Sequence, residues 1–168
     1  MQRLIAIVVV ATMLAPTMAL ASVGSKNAAY FGGTVETFNG AKDPVEGKLD
    51  TTSVTALGFT ANDKPFVGKS MSIPYDKIID LEYGQKAGRR VGAAIGYSIL
   101  LGPLGLLTLF SKKKNHYLTI GFKDGDNKDQ VAVIELGKDI VRSTIPIVET
   151  RSGKKVTYQD DEAKKSVK

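Results

Sequence analysis

The sequence predicts a mainly β fold: a small antiparallel β-sandwich or partly open barrel, closed by a C-terminal helix and interrupted by an inserted apolar helical hairpin. Short β-branched and aromatic stretches recur between clusters of turn-forming residues, the pattern of a small all-β domain. Over residues 139–150 the apolar spacing switches from strand-like to helical. An uncharged apolar run, residues 91–110, stands between Arg89-Arg90 and Lys112-Lys113-Lys114 in a chain that otherwise reads as β-structure.

Residues 28–38 alternate loosely and carry Tyr30, Phe31 and Val35, so a strand is expected, with a bulge or bend at Gly32-Gly33. Residues 39–44 are turn chemistry. Residues 45–49 and 53–60 follow as short strands, the second rich in β-branched and aromatic side chains. After a turn at residues 62–65 come strands at 69–74 and 77–83, where Ile79, Leu81 and Tyr83 share a face at period two. Residues 117–122 and 130–136 form a hairpin across a polar turn. In the helical stretch Ile140, Val141, Thr144, Ile145 and Val148 fall on one face, although Pro146 should remove a hydrogen bond or kink the helix. Residues 152–168 mix Lys, Asp, Glu and Ser with few apolar residues after Tyr158, and are expected to be a charged, disordered tail.

The apolar run is long enough, at about 20 residues, to cross a bilayer once. Gly102, Pro103 and Gly105 break it near its centre, however, and the strands on either side should belong to one sheet. A single span would divide that sheet across the membrane. A hairpin turning at Gly102, Pro103 and Gly105 returns the chain to its starting side, each arm of about 10 residues reaching roughly one leaflet deep. The residues expected to enter lipid are Val91, Ile95, Ile99, Leu100, Leu101, Leu104, Leu106, Leu107, Leu109 and Phe110. A soluble hairpin buried against another protomer is the competing reading. Gly88, Gly92 and Gly96 fall four apart, and on a helix they form a smooth groove that another helix can approach closely. Packing of the two arms on each other uses that groove most simply. Oligomerisation through it would make the protein a structural component of the envelope.

Charge supports the membrane reading. The formal net charge of +6 falls to +5 when Arg3 leaves with a leader, and no Asp or Glu occurs over residues 83–123. Lys86, Arg89, Arg90, Lys112, Lys113 and Lys114 therefore form a basic collar around the apolar run, suited to anionic headgroups. A nucleic-acid binder would spread its charge over a folded face with interleaved aromatics, so nucleic acid is not the expected partner.

Residues 1–21 read as a signal peptide: a positive head at Arg3, an apolar stretch, and Ala19-Leu20-Ala21 before Ser22 as the cleavage site. The expected location follows, export by the general secretory route to the periplasmic face of the cytoplasmic membrane or elsewhere in the cell envelope. The absence of cysteine excludes a lipidated N-terminus, a disulfide framework and a thiolate metal site.

No nucleotide loop, nucleophile motif or metal-ligand cluster appears, and neither enzymatic activity nor a cofactor is expected. Asp124, Asp126 and Asp129 lack the glycine placement and later Glu of a calcium loop, with Lys128 among them, and read as a hairpin turn. His116, the single histidine, reads as a solvated strand end.

The phrases Gly47-Lys48-Leu49-Asp50-Thr51, Leu57-Gly58-Phe59 and Ile73-Pro74-Tyr75-Asp76-Lys77-Ile78-Ile79-Asp80-Leu81, with the later hairpin and closing helix, resemble bacterial pleckstrin-homology-like or GRAM-type domains. The resemblance implies a β-domain over residues 22–151, interrupted by the insert at 88–114, and a role as a membrane-associated binding or adaptor module. Phosphoinositide-binding members of that family carry clustered basic residues in an early hairpin loop. The corresponding loop here holds only Lys42, beside Asp43, so that pocket is not implied.

Overall fold

A computed structural model describes residues 26–85 and 115–167. Among these residues eight strands form one sheet in the order β4-β3-β2-β1-β7-β6-β5-β8, open because β4 and β8 are its edges. The strands are β1 (Lys26–Gly33), β2 (Val45–Asp50), β3 (Ala56–Ala61), β4 (Ser70–Pro74), β5 (Ile78–Gly84), β6 (His116–Lys123), β7 (Asp129–Leu136) and β8 (Val156–Tyr158). Two helices follow β7, α1 (Val141–Ser152) and α2 (Asp161–Val167). All eight strands and both helices feed one buried cluster, so the sheet wraps around a shared core, consistent with a β-sandwich. The mainly β expectation stands.

Sequence explains each local form. In β2 and β4, alternate residues are buried and exposed, as expected of strands that pack one face on a core. The register of β1 on β7 shifts between Tyr30 and Gly32. Gly33 closes the strand at φ +135, where a Cβ would stand 2.1 Å from the Val131 carbonyl oxygen, so only glycine fits. Val35 then leads into a 3-10 turn, Glu36–Phe38, instead of the continued strand expected there, and Phe38 packs edge-on against Phe59 and Phe66. In β5 a bulge between Ile78 and Asp80 changes the predicted face: Ile78, Leu81 and Tyr83 are core, while Ile79 is half-buried.

Helix α1 runs through Pro146 because that residue lies on the exposed side, where water can solvate the carbonyl left without a donor. Its buried stripe is Val141, Thr144, Ile145 and Val148, and it ends on Gly153 at φ +68, a left-handed stop. Arg151, at its last turn, donates to the Thr51 and Ser53 carbonyls and lies over the Tyr75 ring at 5.6 Å.

The C-terminal segment corrects the expectation of disorder. β8 pairs in parallel with β5, making the sheet mixed instead of antiparallel, and α2 buries Ala163 completely. Val156, Tyr158 and Ala163, three core-facing residues among charges, are enough because β5 offers β8 a ready edge and α2 follows it onto the core.

Candidate functional site

The apolar segment is rooted at one end of the sheet, where β5 finishes and β6 begins. Gly84 and Tyr117 are direct partners across the antiparallel β5–β6 pair. The chain therefore leaves the domain and re-enters it on adjacent strands, about 5 Å apart. A polar network holds this root. Tyr83 Oη lies 2.5 Å from His116 Nδ1 and 2.8 Å from Ser166 Oγ, and Ser166 Oγ donates to the Ala163 carbonyl at 2.7 Å. Satisfying all three contacts at once requires a run of donors in one direction, from His116 Nδ1–H to Tyr83, from Tyr83 to Ser166, and from Ser166 to Ala163.

His116 is thus a buried residue, 8% exposed, and not the solvated strand end its lone position suggested. Burial, then the charge of Lys138, lowers its pKa below the ordinary value and favours the neutral ring. Burial raises the Tyr83 pKa, opposed by its bond to Ser166, so the phenol stays protonated at neutral pH. Beside this pair Gln159 donates to Glu82 at 2.9 Å, and its backbone N–H binds the Tyr83 carbonyl at 3.0 Å. These bonds fasten the C-terminal segment to the last residues of β5.

On the opposite face of the same sheet end, Asn115 donates to the Tyr117 hydroxyl at 3.2 Å, and Tyr117 packs edge-on against Phe31 with centroids 5.1 Å apart. Burial raises the Glu135 pKa, while bonds from Tyr117 and Asn115 pull it back. An open pocket of about 350 Å³ adjoins this end, lined by Asn27, Glu46, Asn62 and Glu135 among others. A second, of about 250 Å³, is lined by Glu36, Asp124, Asp126 and Lys128 among others. Carboxylates outnumber bases in both, so neither suits an anionic headgroup.

Asp124 behaves as the hairpin turn predicted. Its Oδ1 accepts from the Asp126 and Lys128 amides, and its Oδ2 from the Gln130 side chain. These bonds hold its carboxyl below the usual range. Among the described residues, no group of three His, Cys, Asp or Glu side chains could hold a metal ion, and no helix is long and apolar enough to cross a membrane.

The residues singled out for lipid insertion, headgroup contact, glycine packing, the hairpin turn and leader cleavage all lie outside the described residues. The structure brings together the two strand ends that carry the insert, as expected. It also reveals the Tyr83–His116–Ser166 network, which sequence reasoning missed because its members are 33 and 83 positions apart.

No family model matches the chain, and no curated protein matches it. Among solved structures it is similar to the hSac2 domain from human phosphoinositide phosphatase Sac2, at 12% identity and a TM-score of 0.53, covering 83% of this chain and 78% of that one. At that identity the likeness is one of fold.

Proposed function

We propose that this protein is an exported, membrane-associated, non-enzymatic binding or adaptor module, a pleckstrin-homology-like β-domain held at a membrane surface by an apolar hairpin with a basic collar. The observation that carries this reading is the pairing of Gly84 with Tyr117. Two chain ends on adjacent, hydrogen-bonded strands cannot lie on opposite sides of a bilayer, so a lipid-inserted run between them must turn back. The run supplies the turn at Gly102 and Pro103, and bases at both ends suit a shared headgroup surface. Acidic pockets on the β-domain leave Lys86, Arg89, Arg90, Lys112, Lys113 and Lys114 as the collar for anionic lipid. The fold it shares with a domain of a phosphoinositide phosphatase is compatible with work at lipid surfaces. Its place is the periplasmic face of the cytoplasmic membrane or another envelope surface.

Co-flotation of the chain from Ser22 onward with anionic vesicles tests the reading. Each lysine near an anionic surface contributes about 1 kcal/mol and is screened by salt. Apolar burial at about 25 cal/mol per Å² gives an embedded arm many times that. Changing Lys112, Lys113 and Lys114 together to Gln should weaken flotation only partly. Leu101→Asp with Leu107→Asp should abolish it, because burying a carboxylate in lipid is costly. If the double-Asp variant still floats while the Gln variant washes off, attachment is electrostatic and the hairpin anchor is wrong. Unaltered protein that ignores vesicles yet forms oligomers lost on changing Gly92 and Gly96 would favour an envelope structural role.

A further inference from the structure

The two edges of the sheet are not alike. β8 is three residues long and runs on into α2, which packs on the core beside it. β4 is five residues long, and among the described residues no strand pairs with its other side. Met71 and Ile73 enter the core, while Ser70, Ser72 and Pro74 are exposed. No charge lies within the strand, although charge is a common protection of sheet edges.

Two hydrogen bonds show which backbone groups of β4 face outward. The Lys69 carbonyl accepts from the Ala61 amide at 2.8 Å, and the Tyr75 amide donates to the Thr55 carbonyl at 2.9 Å. Both residues therefore turn their backbone towards β3. Backbone groups alternate sides along a strand, so Met71 and Ile73 face β3 as well, and Ser70, Ser72 and Pro74 face outward. Pro74 has no N–H to leave unpaired there, which is where a sheet edge tolerates proline. The edge offers the amides of Ser70 and Ser72 and the carbonyls of Ser70, Ser72 and Pro74.

We propose that β4 pairs with β4 of a second copy of this chain, antiparallel and centred on Ser72. In that register Ser72 exchanges two bonds with the partner's Ser72, and each Ser70 amide reaches the other copy's Pro74 carbonyl. No bond is asked of the proline nitrogen. Met71 lies opposite the partner's Ile73, on the core side of one continuous sheet. Two further features select a copy of the chain in this orientation. Lys69 precedes the strand and Asp76 follows it, so antiparallel pairing sets lysine near aspartate at both ends, whereas parallel pairing sets like charges together. Among the described residues the large apolar side chains left exposed are Val54, at 63%, and Val67, at 60%. They stand one at each end of β4: Val67 in the turn before Ser70, and Val54 beside Thr55, whose carbonyl binds Tyr75. Antiparallel pairing brings Val67 of one copy to the end that holds the partner's Val54. Two short strands make a small interface of the transient kind, so a dissociation constant of about 0.1–1 mM is expected and the chain stays monomeric at low micromolar concentration. The pairing does not depend on attachment to a membrane.

The chain contains no cysteine, so an introduced thiol reports on one contact. Directly bonded antiparallel residues stand about 5.5 Å apart at Cα, within reach of a disulfide. In the chain from Ser22 onward, at about 0.2 mM, Ser72→Cys should oxidise to a covalent dimer at least tenfold faster than Lys48→Cys on the exposed side of β2. Ser70→Cys should be slow too, because four residues, about 13 Å, separate it along the pair from its counterpart. Equal rates for Ser70→Cys and Ser72→Cys would mean random or parallel association and overturn the proposal. At low salt, adding Lys69→Asp to Ser72→Cys should slow crosslinking at least threefold, and Asp76→Lys on top of it should restore the rate. A rate that the reversal leaves unchanged, or that the swap fails to restore, overturns the proposal. Sedimentation of the cysteine-free chain gives a second measurement. A dimer that grows in towards about 0.5 mM should be lost in Ser72→Pro, which removes only an outward N–H and should keep the unfolding transition. If Ser72→Pro does not fold, the charge swap decides. Oligomers that survive Ser72→Pro and disappear with Gly92→Leu and Gly96→Leu overturn the pairing.

Discussion

His116 shows how a residue with no partner near it in sequence acquires a measurable role. Its folded pKa is held below the ordinary 6.5 by burial and by Lys138, so the unfolded chain binds a proton the folded domain resists. The sign follows: its contribution is fully present above about pH 6.5 and is lost as pH falls from there toward the folded pKa. Asp80 and Glu135 are both raised by burial and act in the opposite direction, but they are common to wild type and any His116 variant. Urea unfolding of the chain from Ser22 onward at pH 7.5 and 5.5 should therefore show a larger loss of stability for wild type than for His116→Gln. Equal losses would mean that the imidazole is free to protonate in the fold.

At the scale of elements, α1 is joined to the β2–β3 connection and to Tyr75 through Arg151. Its guanidinium donates to the Ser53 carbonyl at 2.8 Å and to the Thr51 carbonyl, and lies over Tyr75. Thr51 is 3% exposed, so its neighbourhood is shielded from solvent. Hydrogen bonds from a charged donor contribute about 1.5–3 kcal/mol and a cation–π contact about 0.5–1. Arg151→Ala should destabilise the domain by about 2–3 kcal/mol, and Arg151→Lys by about half that, because one ammonium cannot span both carbonyls and the ring. Chemical denaturation with unchanged slope would check both values. A loss below about 0.5 kcal/mol for Arg151→Ala would show the contacts to be incidental.

Why some elements were legible and others not has a physical basis. Seven strands could be read because β-branched and aromatic runs alternate between turn clusters, and α1 because its stripe has helical spacing. β8 could not, since three residues form a strand only when an edge such as β5 already exists. The bulge in β5 moved Ile79 off the core because alternation is reset wherever the register shifts. At the candidate site, the shared root of the insert followed from chain order, whereas the Tyr83–His116–Ser166 contacts depend on tertiary placement of α2.

For the whole molecule, the question is how far the β-domain depends on the segment it carries. The register Gly84↔Tyr117 is set by the strands themselves, continuing from Ile78↔Phe122, so the pair should close without the insert. Replacing residues 86–114 by Asn-Gly, a sequence suited to a tight hairpin, should keep a cooperative unfolding transition. Val131, Val133, Tyr117 and Phe31 form an apolar outer face at that end of the sheet, turned away from the core and of the kind that drives association where nothing covers it. The shortened domain should self-associate at micromolar concentration and bind a hydrophobic dye, as sedimentation and fluorescence would show. Val131→Thr with Val133→Thr in that background should restore a monomer, at a cost of about 1–2 kcal/mol from exchanging methyl groups for hydroxyls on a strand that keeps its backbone bonds. A shortened chain lacking any cooperative transition would mean that the segment builds the core. A monomeric one that ignores the dye would mean that the outer face needs no cover.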